Sequence, residues 1–388
     1  NRKCKYIVKP MKPTILKMKK KKVVIFGVKY FPSKGGTSRV VENLLWEMKD
    51  HFDITIYCYK NELAADFMEG VKTIQFSETP IKGVGVFIFF IKCFLHLMWN
   101  GKYDIVHLHK MDGAFFLPLL NLKFKTVATS HGLPYLNDKW SSGGKFYFRR
   151  MEEIFMRSNT KLTSVSKTQV EYFDEKYKRK ILHIPNGIHP IGKVQPEFAD
   201  EILKKNEVEG EYLFFAARRL IPLKGCHTLI AALQKIKYQG TLVIAADIEQ
   251  LPSYTQELKK SAEGIKVKFL GYVSDLKVLN ALIARSKFFI FPSELEAMSM
   301  MLLEVGSVGT PMICSDIPQN TAVLENGQVL FFESKNADDL AEKINWAFEN
   351  ENEMNGFSKN AKQIIEEKYL VSRVAEKYVD LYKEVILE

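Results

Sequence analysis

Short apolar runs recur along this chain, and helical patterns lie between most of them. VVIFGV (23–28), DITIYCY (53–59), DIVHLH (104–109), KTVATSHG (125–132), KLTSVS (161–166) and ILHIPNGI (181–188) form a first set. YLFFAA (212–217), TLVIAA (241–246), KVKFL (266–270), KFFIF (287–291), MICS (312–315) and VLFF (329–332) form a second. Near-continuous apolar character marks strands buried on both faces, and such strands alternating with helices build parallel sheets. The expected class is therefore α/β, with two doubly wound, Rossmann-like parallel-sheet domains facing a cleft. The polar stretch HPIGKVQPEFAD (189–200) reads as the linker. The expected division is a basic flexible tail over 1–21, a first domain over 22–192, a second over 193–370, and a helix over 371–388 returning to the first domain.

Composition narrows the partners. The chain has 388 residues, 46% hydrophobic and 26% charged, enough for more than one core. A net charge of +11 suits an anionic ligand, an anionic membrane surface or nucleic acid. The cations are spread through tail and loops without a nucleic-acid module, so nucleic acid is not an expected partner. Cys4, Cys58, Cys93, Cys226 and Cys314 are scattered with no CxxC pair, and read as free thiols in a reducing cytoplasm. The basic start is not followed by the apolar run of a secretory leader, so none is expected. VGVFIFFIKCFLHLMW (84–99), broken by Lys92 and His96, is too short for a membrane span. It reads as a helix packed in the domain; the alternative is an interfacial helix lying on a bilayer. The expected location is cytoplasmic, with peripheral contact at the inner face of the membrane.

The chemistry concentrates in KFFIFPSELEAMSMMLLEVGSVGTPMI (287–313), a strand, a loop, a helix over 297–308 and a further strand. Glu296 lies in the loop and Glu304 in the helix. Eight residue steps of a continuous helix would separate their backbones by about 12 Å. Two carboxyls acting on one glycosidic bond stand only about 5 Å apart in a retaining glycosidase. A pair gripping two parts of one long ligand fits better. Between them Ser299, Met300 and Met301 open the helix, where free N–H groups and the dipole favour an anion. Glu304 sits among Leu302, Leu303 and Val305, and a carboxylate there needs a partner. RRLIPLKG adds Arg218, Arg219 and Lys224 between a strand and its helix, where cations can hold a diphosphate. His109 and His131 end strands on the ligand edge of an open sheet. His107 and His109 alternate, so they face one side, but no third ligand with metal-like spacing accompanies them. No metal and no cofactor are expected. GxGxxG and GxxxxGK[ST] are both absent, which argues against a dinucleotide fingerprint and a P-loop.

Together these residues resemble the retaining GT-B glycosyltransferases of the bacterial group-1 type, which contain an E-x7-E segment. The resemblance runs from about residue 22 to the end. ARRLIPLKG, FLGYVSD and PSELEAMSMMLLEVGSVGTP carry it in the second half; Gly35-Gly36, SHG (130–132) and IPNGI (184–188) carry it more loosely in the first. It implies a nucleotide-sugar donor, a saccharide or lipid-linked saccharide acceptor, and transfer without a metal. By position it implies that Arg219 and Lys224 hold the donor diphosphate and that Glu304 binds the ribose. Glu296 touches the donor sugar, with His131 beside it. Gly271, Tyr272 and Val273 line the base, and Gly36 brings backbone toward the phosphates. The chain departs from the pattern at Arg218, where the family usually has Gly, at Ala297-Met298-Ser299, and at Val305-Gly306, read as a packing change. A nucleotide-sugar epimerase lacks support, because its Tyr-x-x-x-Lys pair is missing as well as its glycine loop. An inactive nucleotide-binding scaffold is the main alternative, opposed by the retained Glu296, Glu304, Arg219 and Lys224.

Overall fold

The computed structural model describes residues 19–33, 35–81, 84–136 and 140–388. The tail expected over 1–21 lies outside the described residues as far as residue 18. The first sheet holds β1 (Lys22–Phe26), β2 (Asp53–Tyr59), β3 (Val71–Phe76), β4 (Ile105–His109), β5 (Lys125–Ser130), β6 (Lys161–Ser164) and β7 (Leu182–His183). Their spatial order is β3-β2-β1-β4-β5-β6-β7. The second holds β8 (Tyr212–Arg219), β9 (Thr241–Asp247), β10 (Lys266–Phe269), β11 (Phe288–Phe291), β12 (Met312–Ser315) and β13 (Leu330–Phe332), in the order β10-β9-β8-β11-β12-β13. Every pairing is parallel. The strand order reverses between β1 and β4 and between β8 and β11, the places where an open sheet leaves a crevice at its carboxyl edge.

Central strands are apolar because helices cover both of their faces. β11, FFIF, is wholly buried, and so are β4 and β12. β3 was not expected from the sequence. VKTIQF lies at the sheet edge, only Val71 is fully buried, and Lys72 and Gln75 interrupt it. The helix expected over 297–308 begins later, at Met300, with Ser299 as its N-cap. Gly306, in the middle of it, has a packing reason: a Cβ built there would fall 2.2 Å from Ile365 Cδ1 on the Glu351–Lys368 helix.

The Val371–Leu387 helix belongs to the first sheet's core. Val374, Tyr378 and Tyr382 pack with Val23, Ile25 and Val41 there. The crossing is pinned where Ile188 N–H donates to Tyr369 O (2.9 Å) and Val371 N–H to Ile188 O (2.8 Å). The Gly85–Asn100 helix buries Phe89, Phe90, Cys93 and Leu97, and leaves Leu95 and Trp99 exposed. Among the described residues no helix is long and apolar enough to cross a membrane. Cys58, Cys93, Cys226 and Cys314 are buried and unpaired.

Candidate functional site

The loops after β5, β8 and β11 meet around a cavity of about 550 Å³, which His131, Arg219, Lys224 and Glu296 help to line. Local geometry explains the meeting. Gly225 follows Lys224 at φ 70°, and a Cβ there would fall 1.8 Å from Pro292 O. Only glycine lets the β8 loop close on the β11 loop in this way. The Glu294 N–H donates to Leu223 O (2.9 Å) and stitches the two loops together. Lys224 Nζ then donates to Glu296 Oε1 at 2.5 Å.

The two arginines of the same loop differ from Lys224. Neither Arg218 nor Arg219 has a hydrogen-bond or ion-pair partner among the described residues. Burial, then the adjacent charge of Arg218, lowers the pKa of the Arg219 guanidinium, with Glu296 opposing. Two neighbouring cations without a direct ion-pair partner make a site for an external anion. Arg218 reaches across the cleft: a Cβ built on Gly35 would fall 1.8 Å from Arg218 Nη1. The close approach in the Gly-Gly turn is thus at Gly35. Gly36 faces open space.

Glu304 is sealed inside the interface between the domains, 2% exposed. Arg39, on the Gly36–Met48 helix, brings Nη2 to 2.6 Å from its Oε1. This is charge against charge rather than an aligned hydrogen bond, since Oε1 has no hydrogen-bond donor. Burial pushes the Glu304 carboxyl above its ordinary pKa, and Arg39 opposes that shift. Arg39 escaped the sequence reading. Its only signal was a cation one turn into a helix that opens at Gly-Gly.

His131 stands at the cavity, its Nε2 2.9 Å from His109 Nδ1. His107 and His109 do face one side, with ring centroids 4.0 Å apart. The remaining expected residues lie away from the cavity lining. Gly271 has φ 77° and open space around it, Tyr272 is exposed, and Val273 packs against the second domain's core. Ser299 is buried at the helix start and forms no side-chain capping bond. Met301 packs against the second core, and Met300 against both domains' cores. Asp112, Trp140, Gln169 and Gln319 line the cavity and were not anticipated. Among the described residues no group of three or more His, Cys, Asp or Glu is placed to hold a metal.

Comparison with known proteins places this architecture. Residues 198–364 match the family model described as glycosyl transferases group 1, and residues 34–190 match that of glycosyltransferase family 4. The chain belongs to the group 1 glycosyltransferases. It is a GT-B glycosyltransferase: one model spans the whole second sheet and the other the first sheet from β2 onward. It is 24% identical over 387 residues to the Escherichia coli UDP-Gal:alpha-D-GlcNAc-diphosphoundecaprenol alpha-1,3-galactosyltransferase, covering 94% of this chain and 98% of that protein. It is 26% identical to the Campylobacter jejuni N,N'-diacetylbacillosaminyl-diphospho-undecaprenol alpha-1,3-N-acetylgalactosaminyltransferase over half of each chain. Among solved structures, Anabaena HepE in complex with UDP and glucose superposes with a TM-score of 0.76 at 18% identity, covering 94% of this chain and all of that one. Sucrose-phosphate synthase from Thermosynechococcus elongatus does so with 0.78 at 17% identity, over 95% and 99%.

Proposed function

We propose that this glycosyltransferase moves a sugar from a UDP- or GDP-sugar to a hydroxyl of a lipid-linked saccharide, with retention and without a metal ion. The observation that carries the reading is the unpaired Arg218–Arg219 pair beside the Lys224–Glu296 ion pair at the cavity. A departing nucleoside diphosphate gains negative charge as the glycosidic bond breaks. Fixed cations aimed at that charge lower the barrier without reorganising. Arg219 and Lys224 hold the diphosphate, and the positive N-terminal end of the Met300–Val308 helix, at Ser299 to Met301, adds its dipole from behind the cavity lining. Glu304 takes the ribose hydroxyls once Arg39 moves aside, and Gly271 to Val273 meet the base. Glu296 and His131 face the sugar.

The two relatives' names support the acceptor class, since each describes transfer to a sugar on an undecaprenol diphosphate. An enzyme with such an acceptor works at a membrane surface. The exposed Leu95 and Trp99, with Leu122 and the cation Lys123 nearby, suit that contact. The basic tail adds charge for an anionic bilayer. The activity is tested by supplying UDP- and GDP-sugars with a diphospholipid-linked saccharide and reading the anomeric configuration of the product by NMR. One donor should be used, with its configuration kept. An inverted product refutes retention. If a nucleotide stabilises the protein but no donor is consumed, the chain is an inactive nucleotide-binding scaffold; if neither happens, the reading as a nucleotide-sugar enzyme is refuted.

A further inference from the structure

Behind the cavity wall, three imidazoles and a tyrosine from the far end of the chain are in continuous contact. Parallel register pairs His109 of β4 with Thr129 of β5, and the two-residue period of a strand puts His131 on the same face as Thr129. His131 Nε2 lies 2.9 Å from His109 Nδ1. The His109 ring lies over that of His107, centroids 4.0 Å apart and planes inclined at 34°. His107 is bound at both nitrogens: Nδ1 lies 2.6 Å from the Tyr382 hydroxyl and Nε2 2.8 Å from Thr129 Oγ1. Thr129 Oγ1 in turn lies 2.6 Å from Thr163 Oγ1. His107 and His109 are each 1% exposed.

Burial pulls all three imidazoles below their ordinary pKa, His109 to about 3, and the positive end of Lys110 adds to this at His109 and His131. They are neutral together, and a neutral imidazole has one donor nitrogen and one acceptor nitrogen. Engaging Nε2 of His131 therefore decides the character of Nδ1, the ring nitrogen left without a protein partner among the described residues.

We propose that His109 is a positioning residue for the transfer reaction: its Nδ1 engages Nε2 of His131, sets the ring's orientation and tautomer, and reserves His131 Nδ1 for a hydroxyl of the bound sugar. This rests on the reading of His131 as sugar-facing. The stacked His107, anchored by Tyr382, keeps the His109 ring from turning. The C-terminal helix thereby reaches the cleft through two imidazoles. A space-filling role alone would not need these nitrogens, since a buried polar ring without a matched partner costs stability that an apolar ring avoids.

The test uses the full chain with ¹⁵N-labelled histidine. His131 in the wild type should show a single neutral tautomer around neutral pH. His109→Phe keeps a ring over His107 and removes the nitrogen. It should give mixed tautomers at His131 and cut turnover by roughly ten- to a hundredfold, the range for losing a partner that orients a functional imidazole. Binding of UDP or GDP should stay within about threefold, because the nucleotide does not touch this network. His109→Asn places an amide near the position of Nδ1 and should restore most of the turnover and the single tautomer. A mixed or protonated His131 signal in the wild type overturns the proposal without any variant. So does a single tautomer, or turnover within about twofold of wild type, in a folded His109→Phe. His131→Ala checks the underlying reading separately. Wild-type turnover there would remove His131 from the sugar, and the tautomer measurement would still decide whether His109 sets its state.

Discussion

Arg39→Ala is the sharpest perturbation of the interface between the domains. Glu304 is 2% exposed and Arg39 is 26% exposed, so the variant leaves a buried carboxylate without its ion-pair partner. Removing one partner of a buried pair costs about 3–5 kcal/mol. Protonation sets a ceiling on this. Taking up a proton costs a carboxyl at most about 1.4 kcal/mol for each pH unit above its ordinary 4.5, hence about 5 kcal/mol at pH 8 and about 1.4 at pH 5.5. The sign follows from the raised carboxyl. Its contribution to stability is complete below the ordinary value and is lost as pH rises through the folded value, so removing Arg39 hurts most in base. Each kcal/mol moves the melting midpoint of a domain of this size by about 2–4 °C, so the expected loss is about 6–20 °C at pH 8 and about 3–6 °C at pH 5.5. Thermal unfolding of wild type, Arg39→Ala, Glu304→Gln and the double variant across that pH range measures it. Glu304→Gln should rescue Arg39→Ala at pH 8, because a neutral amide needs no counter-ion. Equal midpoints for Arg39→Ala and wild type at pH 8, or a loss independent of pH, would show that Arg39 does not neutralise Glu304.

Three other outcomes are expected. By isothermal titration, Glu304→Ala should weaken nucleoside diphosphate affinity by roughly ten- to a hundredfold, the value of one charge-assisted hydrogen bond, while Glu296→Ala leaves that affinity nearly intact and lowers turnover; equal losses of affinity would mean the two are misplaced along the donor. Transfer should continue in excess EDTA, and a complete loss restored by magnesium or manganese would refute metal independence. The protein should bind anionic liposomes at low salt, release them at high salt and bind less after Trp99→Ala; failure to bind at low salt would put the acceptor in solution.

What the sequence disclosed depended on whether a residue's environment was set locally. KFFIF and MICS are buried on both faces, and their composition says so without reference to neighbours. VKTIQF is an edge strand, and Lys72 and Gln75 hide it because its environment is half solvent. AMS ahead of MMLLEVGSV is as apolar as the helix it precedes, so apolar pattern alone placed the helix start three residues early; the structure begins it after Ser299. The His107–His109 alternation was legible because a strand's period is two. The anchor Tyr382 was not, because it arrives from a helix at the other end of the chain. The pairing of Glu304 was legible only as a need. A carboxylate among leucines requires a cation, but which one depends on how two domains meet, and no local pattern encodes that.

The two glutamates are therefore alike in sequence and opposite in use. Glu296 is neutralised by Lys224, a partner within the same domain and a few residues from Arg219. Donor binding need not move either domain to reach it. Glu304 is neutralised by Arg39 from the other domain, so a ligand bonded to Glu304 Oε1 would compete with Arg39. On the proposed reading the diphosphate meets Arg218 and Arg219, whose side chains have no ion-pair partner among the described residues, so the cleft would attract the donor before Glu304 is exposed. Recognition of the ribose by Glu304, as proposed, would then compete with contact between the domains. The nucleotide must offer the buried carboxylate at least as much as Arg39 did, in hydrogen bonds that Oε1 lacks without it. On that reading, binding energy spent there would release Arg39 and tie occupation of the donor site to a rearrangement of the cleft.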